Sequence, residues 1–336
     1  MTEHLNPDFL AFDEDYQTTM EGVILPYLAA CRKEGSFSGA GNRPMYYARY
    51  DADSPRGTVV LVHGFTENEY KYAELIHSLV RSGFSVLAYD QRGHGRSWKK
   101  PGLRHHSDTH VDAFSEYVED LRCLTNSFLS AMPRPWSVFC HSMGGAVTAL
   151  FLEQYPDVFS RAAMCAPMIA PNLGGLSESA AALLCRTQKL FGRSSRKVAF
   201  SQPYSGPEDF ATSAASDPVR FAWYDAVKAA RREFQNSSPT YGWTLEAISV
   251  TKKILDARGP EDIACPVLLS TAAEDGSVLP GPQKLFISRV RRGTHLFVEG
   301  ARHEIYRSPD AVLHPWWHTQ LTFLSGDEVS PFSERA

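Results

Sequence analysis

Residues 136–147 read WSVFCHSMGGAV. WSVFCH is a β-branched and aromatic run of strand length, and the glycines open an apolar helical pattern, GGAVTALFLEQ, so the stretch reads as strand, tight turn, helix. A serine at such a turn is forced into a strained backbone conformation. Its Oγ projects beyond the strand end, and the next amide sits at a helix N-terminus. Ser142 is therefore the candidate nucleophile, Met143 a candidate oxyanion donor through its N–H, and Gly144 the small residue that lets strand and helix approach. Cys140 occupies the position of the first glycine in a G-x-S-x-G elbow. Alternation along the strand turns Cys140 toward helix packing. His141 adjoins Ser142 too closely to bring its ring onto that Oγ, and reads as a polar wall. The base must come from elsewhere in the chain.

Similar buried runs recur at 58–64 (TVVLVHG), 85–90 (SVLAYD), 162–167 (AAMCAP), 266–272 (PVLLSTA) and 294–300 (THLFVEG), with 44–51 (PMYYARYD) expected as an edge strand. Helical periodicity falls between them at 72–81, 111–131, 144–154, 282–291 and 311–324. Strands that are apolar throughout are covered on both faces, so the alternation predicts a mostly parallel central sheet flanked by helices, an α/β architecture. Residues 168–265 far exceed the dozen or so that a parallel crossover needs. Two helices are expected in this insertion. One covers 177–191, with Ser177 as N-cap and a stripe at Ala180, Leu184 and Phe191; the other starts at Asp217–Pro218, with Trp223, Val227, Ala230 and Phe234 on one face. The expected organisation is a core made of residues 1–167 and 259–336, with a helical cap, 168–258, able to enclose an apolar substrate.

Two later strands supply an acid and a base. PVLLSTA leads into AEDGSVLP, which offers Glu274 and Asp275, and the D-x-x-V-x-P spacing favours Asp275. THLFVEG leads into ARHEIYRSPD, which sets His303 in the loop before the last helix. Serine, acid and histidine in that order, each after a strand, match a nucleophile-elbow hydrolase. The second oxyanion donor is expected from the loop after LVHGF, at the Phe65 amide, with Gly64 allowing close approach. YDQRGHGRS (89–97) lacks a G-x-G-x-x-G phosphate cradle and reads as a turn that fixes the oxyanion loop, with Asp90 and Arg92 placed to pair. RHHSDTH (104–110) brings His105, His106, Asp108 and His110 together without ordered ligand spacing, and reads as a solvated loop rather than a metal site.

Composition narrows the classes. The 336 residues carry a net charge of −4 with no basic stripe, which argues against a nucleic-acid partner. No stretch reaches the ~18 apolar residues of a membrane span, and the acidic N-terminus lacks a secretory n-region, so a cytoplasmic protein is expected. Six dispersed cysteines without a C-x-x-C pair suggest neither a zinc site nor a disulfide framework.

With these residues in place, the chain resembles the α/β-hydrolase superfamily, and within it the monoacylglycerol lipases and bacterial lysophospholipases. The matching blocks include LVHGF, GFSVLAYDQRGHGRS, HSMGGAVTALFLEQYP, SPTYGWTLEAI, AEDGSV and ARHEI. The resemblance implies a serine carboxylester hydrolase acting on monoacylglycerols or lysophospholipids, with Ser142, Asp275 and His303 as triad and the Phe65 and Met143 amides as oxyanion hole. Its mechanism requires no metal and no organic cofactor. The cap is a candidate for peripheral membrane contact. Departures from the pattern are Cys140, and Phe65 where many relatives carry a smaller residue. Two alternatives stay open. One is an aminopeptidase or amidase of the same fold, for which Glu178, Glu208 and Asp209 could hold a substrate amine. The other is a non-catalytic binding protein, against which the intact serine, acid and histidine argue.

Overall fold

The computed structural model describes residues 5–256 and 258–329. Eight strands form one sheet: β1 (Arg32–Gly39), β2 (Arg43–Tyr50), β3 (Gly57–Val62), β4 (Phe84–Tyr89), β5 (Trp136–His141), β6 (Arg161–Cys165), β7 (Val267–Glu274) and β8 (Gly293–Arg302). Their order is β1-β2-β4-β3-β5-β6-β7-β8. From β4 to β8 all neighbours pair in parallel, and β1 and β2 add antiparallel at one side. Every residue of β3 and β4 is buried, as the unbroken apolar runs require.

Helices α1 (Ala73–Arg81), α2 (Ser115–Phe128) and α3 (Met143–Gln154) connect the first strands. In the insertion follow α4 (Glu178–Leu190), α5 (Pro218–Ala230) and α6 (Tyr241–Leu255), and then α7 (Pro280–Arg289) and α8 (Asp310–Ser325). One sheet face packs on α2, α3, α6 and α7 through residues such as Leu121, Val147, Val250 and Phe286. The other packs on α1, α8 and the N-terminal segment through Leu79, Trp317 and Met20. None of the helices among the described residues is long and apolar enough to cross a membrane.

The structure corrects several sequence expectations. PMYYARYD is not the edge, because RKEGSFSG pairs outside it as β1. β1 buries only Phe37 and Gly39, so its sequence carries no apolar pattern, as suits a strand exposed at a sheet edge. Ser177 and Asp217 do cap α4 and α5, accepting from Ala180 N–H at 3.3 Å and Arg220 N–H at 2.6 Å. The buried faces differ from those expected, however. α4 buries Ala181, Ala182 and Cys185, whereas Leu184 is 39% and Phe191 70% exposed. α5 buries Arg220, Phe221, Tyr224 and Lys228, and its two buried cations meet carboxylates, Glu74 and Glu208 respectively. A hydrophobicity count assigns such cations to solvent. The third insertion helix, α6, is the best anchored, with Trp243, Ala247, Val250 and Ile254 in the main core.

RHHSDTH is not a solvated loop either. Asp108–Thr109 pairs in parallel with Ser238–Pro239, and Ser107 to His110 are all buried. The His110 ring bonds Thr240 Oγ1 at 2.8 Å, and Thr240 caps α6. His110, and His106 through Gln235, tie the insertion to the core.

Candidate active site

Ser142 closes β5 with φ 50° and ψ −118°, a conformation non-glycine residues avoid. Its N–H donates to Cys165 O at 3.1 Å, which pins the turn to β6. A Cβ on Gly144 would stand 2.2 Å from Val62 O, so only glycine lets α3 start against β3. Cys140 packs on the α3 side, fully buried, and burial pushes its thiol up to about 12. That excludes a thiolate nucleophile at neutral pH.

Ser142, Asp275 and His303 come together in one hydrogen-bonded line. The Ser142 hydroxyl donates to His303 Nε2 at 2.8 Å, and His303 Nδ1–H donates to Asp275 Oδ2 at 2.7 Å. The other Asp275 oxygen accepts from the Ser277 and Val278 amides at 2.8 and 3.0 Å. Burial alone would raise the Asp275 carboxyl, but the His303 ring and these amides hold it below the usual range. Glu274, its sequence rival, points to solvent at the end of β7.

Met143 is the first residue of α3, so its N–H has no acceptor within the helix. Phe65 lies across the cavity, its ring 4.0 Å from that of Trp243. The loop bearing it is held from YDQRGHGRS: Gln91 N–H donates to His63 Nε2 at 2.8 Å, and the Gln91 side chain donates to His63 O. Asp90 and Arg92 do not pair. Arg92 forks onto Asp120 at 2.6 and 2.8 Å, while Asp90 accepts from the Glu69 and Arg96 amides.

Beside this hydrogen-bonded line lies a buried charged network that the sequence reading missed. Glu67 accepts from Gly64 N–H, from the Tyr72 and Tyr306 hydroxyls, from Lys71 and from His141. His141 Nδ1–H reaches Glu67 at 3.1 Å and its Nε2–H reaches the His303 carbonyl at 3.2 Å, so both ring nitrogens donate. Burial opposes charge on that ring, but Glu67 and Glu304 outweigh it and raise the His141 pKa. Glu67 is held well below the usual carboxylate range, against burial, by His141 and Lys71. Lys71 and Arg307 both pair with Glu304. The i, i+4 spacing of Glu67 and Lys71 was visible in TENEYKYAEL; their partners at 303–307 are joined only by the fold.

Ser142 and His303 open into a cavity of about 780 Å³. Its walls are mainly apolar: Met168, Leu176, Leu184, Val198 and Phe200 from the insertion side, with Trp243 and Ala247 from α6. The carboxylates that line it are Glu67 and Glu304, both already engaged by cations.

A family model described as serine aminopeptidase, S33, matches residues 53–310. The chain belongs to this S33 hydrolase family. Its fold is the α/β-hydrolase fold and it is an enzyme of that kind, with relatives among lysophospholipases and monoacylglycerol lipases. This S33 member is 28% identical to lysophospholipase L2 of Escherichia coli K12, over 88% of each chain. It is 28% identical to a monoacylglycerol lipase of Mycolicibacterium smegmatis, over 85% of its own length and 95% of the relative's. A soluble variant of monoglyceride lipase from Saccharomyces cerevisiae, solved with a substrate analog, superposes with a TM-score of 0.69 at 19% identity, over 88% of this chain and 94% of that one.

Proposed function

We propose that the protein is a serine carboxylester hydrolase acting on single-chain lipid esters, lysophospholipids or monoacylglycerols. The observation that carries this reading is the Asp275–His303–Ser142 line at 2.7 and 2.8 Å, opening into an apolar cavity. In the proposed cycle Ser142 Oγ attacks the ester carbonyl while His303 Nε2 takes its proton, and Asp275 holds the tautomer that leaves Nε2 free to accept. The Phe65 and Met143 amides stabilise the oxyanion. His303 gives the proton to the departing alkoxide, then takes one from a water that attacks the acyl-enzyme. The fatty acid leaves and Ser142 recovers its proton. Apart from the substrate and one water, the cycle uses side chains and amides of this chain.

The division into a core (1–167 and 259–336) and a cap (168–258) belongs to the same reading; residues 1–4, 257 and 330–336 lie outside the described residues. Leu183, Leu190, Phe191 and Phe200 stand 65–87% exposed on α4 and the segment after it, and are the proposed contact with a lipid surface, from which single-chain substrates are drawn.

The aminopeptidase alternative takes support from the family description, but it requires a free carboxylate in the Ser142 cavity itself to hold an amine next to the scissile bond. Glu208 and Asp209 line one neighbouring cavity and Glu178 another, and none of the three lines the cavity that holds Ser142 and His303. Esters therefore fit the cavity better than aminoacyl amides. Ser142→Ala is expected to lose roughly 10⁴-fold or more of p-nitrophenyl butyrate hydrolysis and all fluorophosphonate labelling. Retention of most esterase activity overturns the reading, and turnover confined to aminoacyl amides replaces it with the peptidase.

A further inference from the structure

A second cavity of about 430 Å³ adjoins the first, and Thr66, Ala214 and Glu304 belong to the walls of both. Its chemistry is different. Three cations form its deep wall, Lys71, Arg307 and Lys228, with side chains 6%, 8% and 4% exposed. Its carboxylates outside the shared wall are Glu208, 44% exposed, with Asp209 and Asp225. Burying ammonium and guanidinium groups is costly unless they are neutralised. Here the deep wall and the network behind it are undersupplied: Lys71, Arg307, Lys228 and His141, whose two ring nitrogens both donate, have only Glu67, Glu304 and the half-exposed Glu208 between them. Two buried polar atoms on this wall, Arg307 Nε and the Tyr204 hydroxyl, have no partner among the described residues.

We propose that this cavity receives the zwitterionic phosphodiester head group of a lysophospholipid whose acyl ester lies at Ser142. The assignment rests on the serine-ester reading above. The order of charges supports it. Moving outward from the ester, a lysophosphatidylethanolamine presents glycerol, then phosphate, then ammonium. The protein presents the shared wall, whose Glu304 holds the buried Lys71 and Arg307, and toward solvent Lys228 with the exposed Glu208 and Asp209. A neutral glycerol head would use none of the three buried cations. A substrate whose amine lies nearest the scissile bond would meet the cations first.

The test compares 1-palmitoyl lysophosphatidylethanolamine, 1-palmitoyl lysophosphatidylglycerol and 1-palmitoylglycerol, all at matched sub-micellar concentration. Lys228→Met is expected to lower the ratio of kcat/KM for lysophosphatidylethanolamine over 1-palmitoylglycerol by ~10-fold or more, the loss of one charge-assisted hydrogen bond. Equal loss on both substrates overturns the head-group assignment, since misfolding or a merely structural lysine lowers both together. Glu208→Gln tests the rim while leaving an amide oxygen for Lys228 to donate to. It is expected to lower the ratio of lysophosphatidylethanolamine over lysophosphatidylglycerol by ~3-fold, the scale of an exposed ion pair. An unchanged or raised ratio overturns the placement of the ammonium. Failure of the underlying reading looks different: Ser142→Ala would then retain aryl-ester hydrolysis whatever the ratios do.

Discussion

Glu67→Gln keeps the size of the side chain and removes its charge, and so asks what the buried network beside the triad does. The carboxylate takes Gly64 N–H, Tyr72 and His141 on one oxygen and Tyr306 and Lys71 on the other. An amide can keep its carbonyl toward the first set; Tyr306 can rotate to accept, and Lys71 keeps Glu304. The His141 imidazolium, however, is then buried against a neutral group. It can stay charged, at roughly the 3–5 kcal/mol of a broken buried pair, or lose its proton and leave one buried hydrogen bond unmade, at about 1–3 kcal/mol. The second route is smaller, so the expected loss is about 2 kcal/mol. That corresponds to a Tm roughly 4–8 °C lower at the 2–4 °C per kcal/mol of domains somewhat shorter than this one. The gap depends on pH. Because the folded His141 pKa is raised, the stability from its pairing is fully present below the ordinary imidazole value near 6.5 and is lost as pH rises through the folded value. The Tm difference between wild type and variant should therefore be largest near pH 6 and shrink toward pH 9. His141 also holds the His303 carbonyl and Glu67 holds Gly64, so kcat is expected to fall about 10- to 100-fold, short of the full loss of an oxyanion donor. Calorimetry at both pH values, with p-nitrophenyl butyrate kinetics, measures each quantity. A Tm gap that does not change between pH 6 and 9, together with a kcat within twofold of wild type, would refute the argument.

Other changes have equally definite outcomes. Asp275→Asn can keep both backbone amides on its oxygen, so its new NH₂ faces His303 Nδ1 and forces the tautomer that cannot accept from Ser142; kcat should drop on the order of 10⁴-fold with little change in a thermal melt. Gly144→Ala sets a methyl 2.2 Å from Val62 O, and soluble, cooperatively melting protein is not expected from expression at 37 °C. Burial pushes the Glu153 carboxyl up to about 8, against Arg289 and with Asp262 and Glu261 adding to the rise. A carboxyl raised on folding costs stability as pH climbs from its ordinary value toward 8, so Glu153→Gln should raise Tm at pH 8.5 and leave it nearly unchanged at pH 5. Replacing Leu190 and Phe191 together by serine should weaken co-sedimentation with phosphatidylglycerol vesicles severalfold while aryl-ester turnover persists, because both side chains face away from the cavity.

What the sequence disclosed follows from how local each signal is. The elbow is written in consecutive residues, since the Ser142 turn and Gly144 answer to one steric demand. Asp275 and His303 could be located because each follows a strand whose apolar run is visible by itself. β1 escaped because an edge strand need not be apolar, and the inward face of α5 was misjudged for a related reason. Arg220 and Lys228 are buried by virtue of carboxylates distant in sequence, Glu74 lying 146 residues from Arg220, and a hydrophobic count reads such cations as solvent-facing. The Glu67 network escaped in the same way. Its members are ordinary polar residues until the chain brings 63–72, 141 and 303–307 into one place.

The insertion is fastened unevenly. Its later part is fixed through the Asp108–Thr109 pairing with Ser238–Pro239, α6 is sunk in the core, and the Ser216 and Asp217 amides bond Arg307 O. Among its helices α4 is the least anchored, buried only at Ala181, Ala182 and Cys185, and it lines the apolar cavity. On the proposed cycle the two halves of a cleaved lysophospholipid lie in different chambers, the alcohol in the charged one and the acyl group on Ser142 in the apolar one. Because α4 contributes to the wall of the apolar chamber and to none of the charged one, a shift of that helix would alter the passage of the fatty acid and leave that of the alcohol unaffected.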